Sequence, residues 1–249
     1  MKHRKIAIIT GAGRGIGKAI SLKLDREGFF TIRVDRMPKN LKTASKEFSK
    51  RAMSVLADVS REQDVVLMIK KVVKKFNRID VLVNNAGLSA AGPINQMTKK
   101  DFNQTINVNL GGAFYCMREC INQMKKQPQG GQIINIGSIA AKMPFFYPNR
   151  SIHCASKAAV ASLAASIQTE MILEKKNIKI ATIHPGPVLT DWLLKRKNHG
   201  SDEIKEIALK PEDVAHVVWM IANQGKNSNI SEVLIEPLFA SRFLRNKTW

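Results

Sequence analysis

The feature that most constrains this chain is its first thirty residues. A short apolar run, KIAIIT (Lys5 to Thr10), passes at once into GAGRGIG and then into KAISLKLDREG, where Ile16, Ala19, Ile20 and Leu24 keep helical spacing. This is a strand, a glycine turn and a helix in the order that opens a βαβ unit. Glycine at Gly11, Gly15 and Gly17 permits tight turning and close backbone approach. The helix start presents unpaired N–H groups and a positive dipole end to an anion.

The alternation continues. Strand FFTIRVDR is followed by helix LKTASKEFSKRA, strand MSVLADVS, helix REQDVVLMIKKVVKKF and strand IDVLVNNAG. Alternating strands and helices predict an α/β fold with a parallel, doubly wound sheet, and ligands then bind outside the carboxyl ends of the strands. Asp35 ends the second strand about 20 residues after the glycine turn, where a dinucleotide fold places the acid that accepts from ribose hydroxyls. A carboxylate there repels a 2′-phosphate and favours NAD. Arg14 and Arg36 stand nearby and could pair with that phosphate, so NADP is the second expectation. Asp58 and Val59 fall at the edge of the third strand, and Asn85, Ala86 and Gly87 at the edge of the fourth.

A second constellation lies in GSIAAKMPFFYPNRSIHCASKAAV, from Gly137 to Val160. Ser138 follows the apolar run IINI. His153 and Lys157 are four residues apart, so they share a face of any helix formed there. A hydroxyl, an imidazole and an ammonium could converge on one reacting group, although an ordinary strand, loop and helix would also carry such residues.

With 249 residues and 44% hydrophobic content, one domain over residues 1–249 with one core is expected. No apolar run approaches the roughly 18 residues of a membrane span, and the start breaks into glycine too early for a signal peptide, which predicts a cytoplasmic protein without a membrane partner. The formal charge is +20, from 40 basic and 20 acidic residues. The lysines are dispersed over polar helix faces without interleaved aromatics, which argues against specific nucleic-acid recognition. They set up a field that draws in anions. Cys116, Cys120 and Cys154 lack metal-ligand spacing and read as small hydrophobes, so no metal is expected.

TGAGRGIG and NNAG together, with NVNLGGAF from Asn107, IINIGS ending at Ser138, HCASKAAV from His153, HPGPVLTD from His184 and LKPEDVAHVVWMIA from Leu209, resemble the short-chain dehydrogenase/reductase family over nearly the whole chain. The resemblance implies a single Rossmann-type domain, a three-layer sandwich around a seven-stranded parallel sheet. It also implies a homodimer or homotetramer built on the helices after Asn109 and Lys157. Carried over position by position, it puts the cofactor phosphates at Gly11, Arg14, Gly15, Ile16 and Gly17, the ribose at Asp35, and the adenine between Asp58 and Val59. Asn85, Ala86, Gly87 and Lys157 would line the nicotinamide ribose, with Pro185, Gly186, Val188 and Thr190 at the carboxamide. The implied activity is hydride transfer between NAD(P) and a carbonyl or secondary alcohol, and the chain most resembles members that reduce 3-oxoacyl thioesters.

Of the family's catalytic asparagine, serine, tyrosine and lysine, Asn109, Ser138 and Lys157 match, and His153 stands where the tyrosine belongs. In the family the tyrosine exchanges a proton with the substrate oxygen, the lysine lowers its pKa, the serine orients the oxygen, and the asparagine holds a relay water. An imidazole titrates nearer neutrality than a phenol but reaches roughly 2 Å less far, and a displacement of about 1 Å can cost on the order of 100-fold in rate. The lysine beside it also disfavours the acid form. Tyr147 is a second candidate donor: it lies ten residues before Lys157 and belongs to the loop, so it cannot share the lysine's helical face, but folded inward from the substrate side it could still donate a proton. Two classes follow: an active NAD(P)-dependent oxidoreductase, including the case of a reductase whose tyrosine was replaced, or a silent nucleotide-binding member acting as sensor or partner subunit. The segment 190–210 is expected to form the substrate lid, with Trp192 to Leu194 apolar and Lys195 to Lys197 suited to an anionic or carrier-linked substrate.

Overall fold

In strand β1 (Ile6–Thr10) every residue is buried, and the side chains divide by parity: Ile6 and Ile8 join one core, Ala7 and Ile9 the other. The same division recurs in β4 (Val81–Asn84), β5 (Gly131–Ile136) and β6 (Ile178–Pro185), where Leu82, Ile133 and Ile180 face one way and Val83, Ile134 and Ala181 the other. Strands that are apolar on both faces belong to a parallel sheet covered on both sides. The computed structural model describes residues 4–45, 47–49, 52–194 and 207–238.

With β2 (Phe30–Asp35), β3 (Ala52–Leu56) and β7 (Glu232–Ile235), the sheet has seven parallel strands in the order β3-β2-β1-β4-β5-β6-β7. The order reverses between β1 and β4, which opens the crevice in which such folds bind ligands. Helices α1 (Gly15–Arg26) and α8 (Pro211–Ala222) cover one face. Helices α3 (Glu62–Phe76), α5 (Gly112–Met124) and α6 (Ser151–Leu173) cover the other. Helix α2 (Pro38–Ser45) lies against β2, α4 (Lys99–Ile106) precedes α5, and α7 (Asp191–Leu194) follows β6. The single Rossmann-like layer structure expected from the sequence is the one observed.

Local chemistry explains the boundaries. Helix α2 is shorter than LKTASKEFSKRA suggested: Pro38 is its first residue, and Ser49 is tied instead to Asp25 of α1 by 3.0 Å from its N–H and 2.6 Å from its hydroxyl. Helix α3 stops at Asn77, which takes the left-handed conformation and returns its N–H to Val73. Helix α4 starts with a capping box between Thr98 and Asp101. Between α4 and α5, residues Asn107–Gly111 form a π-turn, a distortion frequent at functional sites. Cys116 and Cys120 are fully buried in the core, and burial pushes the Cys116 thiol up to about 12. Among the described residues no helix is long and apolar enough to cross a membrane. Residues 195–206 of the expected lid, including Lys195, Arg196 and Lys197, lie outside the described residues, as does the tail 239–249.

The amino-terminal edge of the sheet is built for stability rather than chemistry. Buried Gln127 accepts from the Ile79 N–H at 2.8 Å and donates to the Ile79 and Gly130 carbonyls, both at 2.8 Å. Replacing it with leucine strands three buried backbone groups, each of which costs about 1–3 kcal/mol. Gln127→Leu is expected to lower the unfolding free energy in urea by about 3 kcal/mol while leaving ligand binding at the opposite edge unchanged.

Candidate active site

The glycine turn is held down by the next strand. Asn85 donates to the Thr10 carbonyl at 2.9 Å and the Gly11 carbonyl at 3.2 Å, while the Thr10 hydroxyl accepts from the N–H groups of Asn85 and Ala86 at 3.0 and 3.1 Å. Gly11 has φ +63°, and a Cβ there would lie 2.9 Å from Ala86 Cα. A side chain on Gly17 would run into the Gly11 carbonyl oxygen and the Asn85 amide. The turn therefore keeps its backbone bare at the amino end of α1, a cradle for a phosphate. The sequence pattern did not show that Asn85 spends its side chain on this turn.

Above that edge lies a cavity of about 680 Å³. Every cofactor-side residue singled out in the sequence lines it, from Gly11, Arg14, Gly15, Ile16 and Gly17 through Asp35, Asp58, Val59, Asn85, Ala86 and Gly87 to Pro185, Gly186, Val188 and Thr190. Ser138, His153 and Lys157 line it too. Asp35 is nearly buried, its carboxylate accepting from the Gly13 N–H at 3.1 Å, the Met37 N–H at 2.9 Å and the Asn40 amide at 3.3 Å. Asp58 is spent on Ser60, at 3.0 Å to its N–H and 2.7 Å to its hydroxyl. Val188, which lines the cavity, bridges to Leu209.

Asn109 does not line this cavity. Its amide clasps the backbone of Leu88, accepting from the N–H at 2.7 Å and donating to the carbonyl at 2.9 Å, and donates to Ser156 at 2.8 Å. With Lys157, Asn84 and Thr10 it lines a separate cavity of about 10 Å³, the size of one water. Lys157 is buried and donates to the Ile136 carbonyl at 2.7 Å, and burial lowers its ammonium to about 8. A Cβ on Gly87 would sit 3.4 Å from that ammonium and from Asn109 Oδ1, in ordinary van der Waals contact.

His153 Nδ1 lies 3.3 Å from the same Leu88 carbonyl that accepts from Asn109. A carbonyl can only accept, so Nδ1 carries the proton and Nε2 the lone pair. Burial, then the charge of Lys157, pull the imidazole down to about 4, against a smaller upward pull from the Leu88 bond. At neutral pH the ring is a neutral base beside a charged lysine. Ser138 caps a short 3₁₀ turn, its oxygen accepting from the Ala140 N–H at 3.1 Å, so its own O–H is available to another acceptor.

The sequence offers Tyr147 as a second proton donor should its loop fold inward, whereas Arg150 carries no sequence signal. Tyr147 reaches the cavity from the loop, and burial, with Cys154 and Glu236 nearby, pushes its phenol up to about 12. Arg150, three residues before His153, also lines the cavity and donates to the Ser89 hydroxyl at 2.8 Å. Neither belongs to a motif.

Known proteins resemble this chain over most of its length. The family model described as short chain dehydrogenase matches residues 5–200. Farnesol dehydrogenase of Aedes aegypti is 30% identical over 242 residues, covering 94% of this chain and 96% of that protein. The crystal structure of a metagenomic short-chain oxidoreductase in complex with NADP superposes with a TM-score of 0.79 at 30% identity, covering 94% and 96% of the two chains. That of 3-ketoacyl-(acyl-carrier-protein) reductase from Brucella melitensis complexed with NADH gives 0.84 at 26% identity, covering 93% and 96%.

The Lys157 charge acts on His153 through space, and its removal has a readable consequence. In Lys157→Met the imidazole is expected to titrate above its parent value of about 4 yet still below the ordinary value of about 6.5, because burial, the larger cause, remains. Histidine side-chain NMR across pH 3.5–7.5 measures both titrations.

Proposed function

The chain belongs to the short-chain dehydrogenase family and is an NAD(P)-dependent oxidoreductase, and from that premise we propose that it oxidises an alcohol, with His153 as the base that takes the hydroxyl proton. The observation that carries this reading is the 3.3 Å contact of His153 Nδ1 with the Leu88 carbonyl: a carbonyl accepts, so the tautomer it favours puts the proton on Nδ1 and leaves a lone pair on Nε2. Alcohol oxidation requires a base, whereas carbonyl reduction requires an acid. In the proposed step the substrate hydroxyl accepts from the Ser138 O–H and gives its proton to His153 Nε2, directly or through one water. A bound nicotinamide would supply the hydride acceptor. Lys157, charged below about pH 8, would hold the nicotinamide ribose and favour the negative charge that gathers on the substrate oxygen.

The residues fit the cofactor. The bare turn at Gly11–Gly17 would hold the phosphates, and Asp35 would receive the adenosine ribose. The Asp35 carboxylate is held in place by three donors from its own chain, and a 2′-phosphate would meet it head on. This supports NAD, while Arg14 and Arg36 on the rim lessen the discrimination without reversing it. The substrate side, where Leu88, Ala140, Pro187 and Leu193 line the cavity, suits an apolar substrate. A second reading, reduction of a 3-oxoacyl thioester, is favoured by the likeness to the Brucella reductase. It needs the acid form of His153, which burial and Lys157 oppose. Exposed Phe114 on α5 and Ile172 and Leu173 at the end of α6 support the same proposal's homodimer or homotetramer.

Two measurements test these points. With NAD and a panel of apolar alcohols, kcat/KM for oxidation is expected to stay level from about pH 7.5 down to 5.5, because the base form persists toward its value of about 4. His153→Gln is expected to lose about 10²–10⁴-fold. A limb near pH 6.5, or a glutamine variant that turns over like the parent, would sink the assignment of His153. Calorimetry is expected to show NAD bound at least about tenfold more tightly than NADP, a gap of about 1.4 kcal/mol that Asp35→Ala narrows.

A further inference from the structure

Ser138 leaves β5 at the sheet's edge, and the placing of its hydroxyl depends on the backbone that carries it. That backbone has a side-chain partner: the Ser138 carbonyl lies 3.0 Å from Nδ1 of His184 on the neighbouring strand β6. His184 is 1% exposed and does not line the cavity, so it touches neither substrate nor cofactor. Its other nitrogen, Nε2, lies 2.9 Å from Glu232 Oε1 on β7. Glu232 in turn pairs at 2.7 Å with Lys142, the residue that closes the short turn begun by Ser138. The connections form a ring: Ser138 carbonyl, His184, Glu232, Lys142, and back through the turn to Ser138.

The donor inventory makes this ring specific. The Lys142 bond, foremost, holds the Glu232 carboxyl below the usual carboxylate range, so it is an acceptor. The Ser138 carbonyl is also an acceptor. His184 therefore stands between two acceptors, its Nδ1 3.0 Å from the Ser138 carbonyl and its Nε2 2.9 Å from the Glu232 carboxylate. Gly137 makes room for the ring, since a Cβ there would lie 2.9 Å from His184 Nδ1.

We propose that His184 is the positioning residue for Ser138, with Glu232 and Lys142 holding the imidazole in register. The inference rests on the reading of Ser138 as the group that orients the substrate oxygen. A displacement of that hydroxyl by about 1 Å would cost up to ~100-fold in turnover.

The test compares His184→Leu, which fills the volume without a donor, with His184→Asn, whose amide nitrogen stands where Nδ1 stood. Ser138→Ala is the control. Leucine is expected to lower kcat about tenfold or more with the NAD dissociation constant within about threefold of the parent, and asparagine to restore kcat to within about threefold. Crystal structures of both variants give a readout that needs no turnover: Ser138 Oγ shifts by about 1 Å relative to Lys157 in the leucine variant and stays in place in the asparagine variant. Parent-like kcat in the leucine variant, or an unmoved Ser138, overturns the inference. So does an asparagine variant as slow as the leucine one, or a leucine variant whose defect lies in NAD binding. If Ser138→Ala turns over like the parent, the reading of Ser138 has failed instead, and the displacement in the crystals alone decides the role of His184.

Discussion

The Leu88 carbonyl is the point on which this site turns. It follows the last residues of β4, and it accepts from Asn109 at 2.9 Å and from His153 at 3.3 Å. One acceptor thus joins the sheet edge, the π-turn before α5 and the first turns of α6. Because a carbonyl has lone pairs and no proton, it also dictates which nitrogen of His153 is bare. Geometry and protonation are set by the same atom. Were Leu88 to turn its carbonyl away, Asn109 would lose half its clasp and the imidazole would be free to present either nitrogen.

Electrostatics then sharpens what that carbonyl decides. Lys157 is a buried ammonium held by the Ile136 carbonyl, and it faces a ring that is itself largely out of water. Two cations at that separation in a poorly solvated place are costly, so the pair keeps one charge and places it on the lysine. A phenol in the same position would also have its pKa lowered by the ammonium, so the coupling has the same sign for both groups. What differs is the charge of the deprotonated form: a phenolate would be attracted to the lysine, whereas the imidazole becomes neutral and leaves the single charge on Lys157.

Much of the architecture was legible because it follows from periodicity. Runs such as IAIIT and IKIATIHP are apolar at every position, which only a strand buried on both faces tolerates, and the glycine turn announced a backbone that must be approached closely. The residues expected on the cofactor side meet in one cavity for a related reason: most of them follow a strand, and strand ends in a parallel sheet converge on one edge. What escaped the sequence are contacts made by backbone atoms or between distant residues. Nothing in the letters marks the Leu88 carbonyl as an acceptor for two side chains. Asn109 is legible as a site residue, but its commitment to Leu88 and Ser156 depends on how the π-turn rotates it. His184 and Glu232 are 48 positions apart and meet only because β6 and β7 pair.

The shorter reach of histidine takes on a different meaning once its role is that of a base. A proton donor for a carbonyl must arrive close to a weakly basic oxygen, and each ångström of separation weakens the transfer. A base that receives a proton from an alcohol can do so through one water, because that water is at once acceptor from the hydroxyl and donor to Nε2. In the proposed step Ser138 would orient the hydroxyl, since its oxygen accepts from the Ala140 N–H and its proton is left for another acceptor. A gap of roughly 2 Å, disabling for a direct donor, is then close to the room one water needs. Reach, tautomer and charge are three separate constraints on His153, and alcohol oxidation satisfies all of them together.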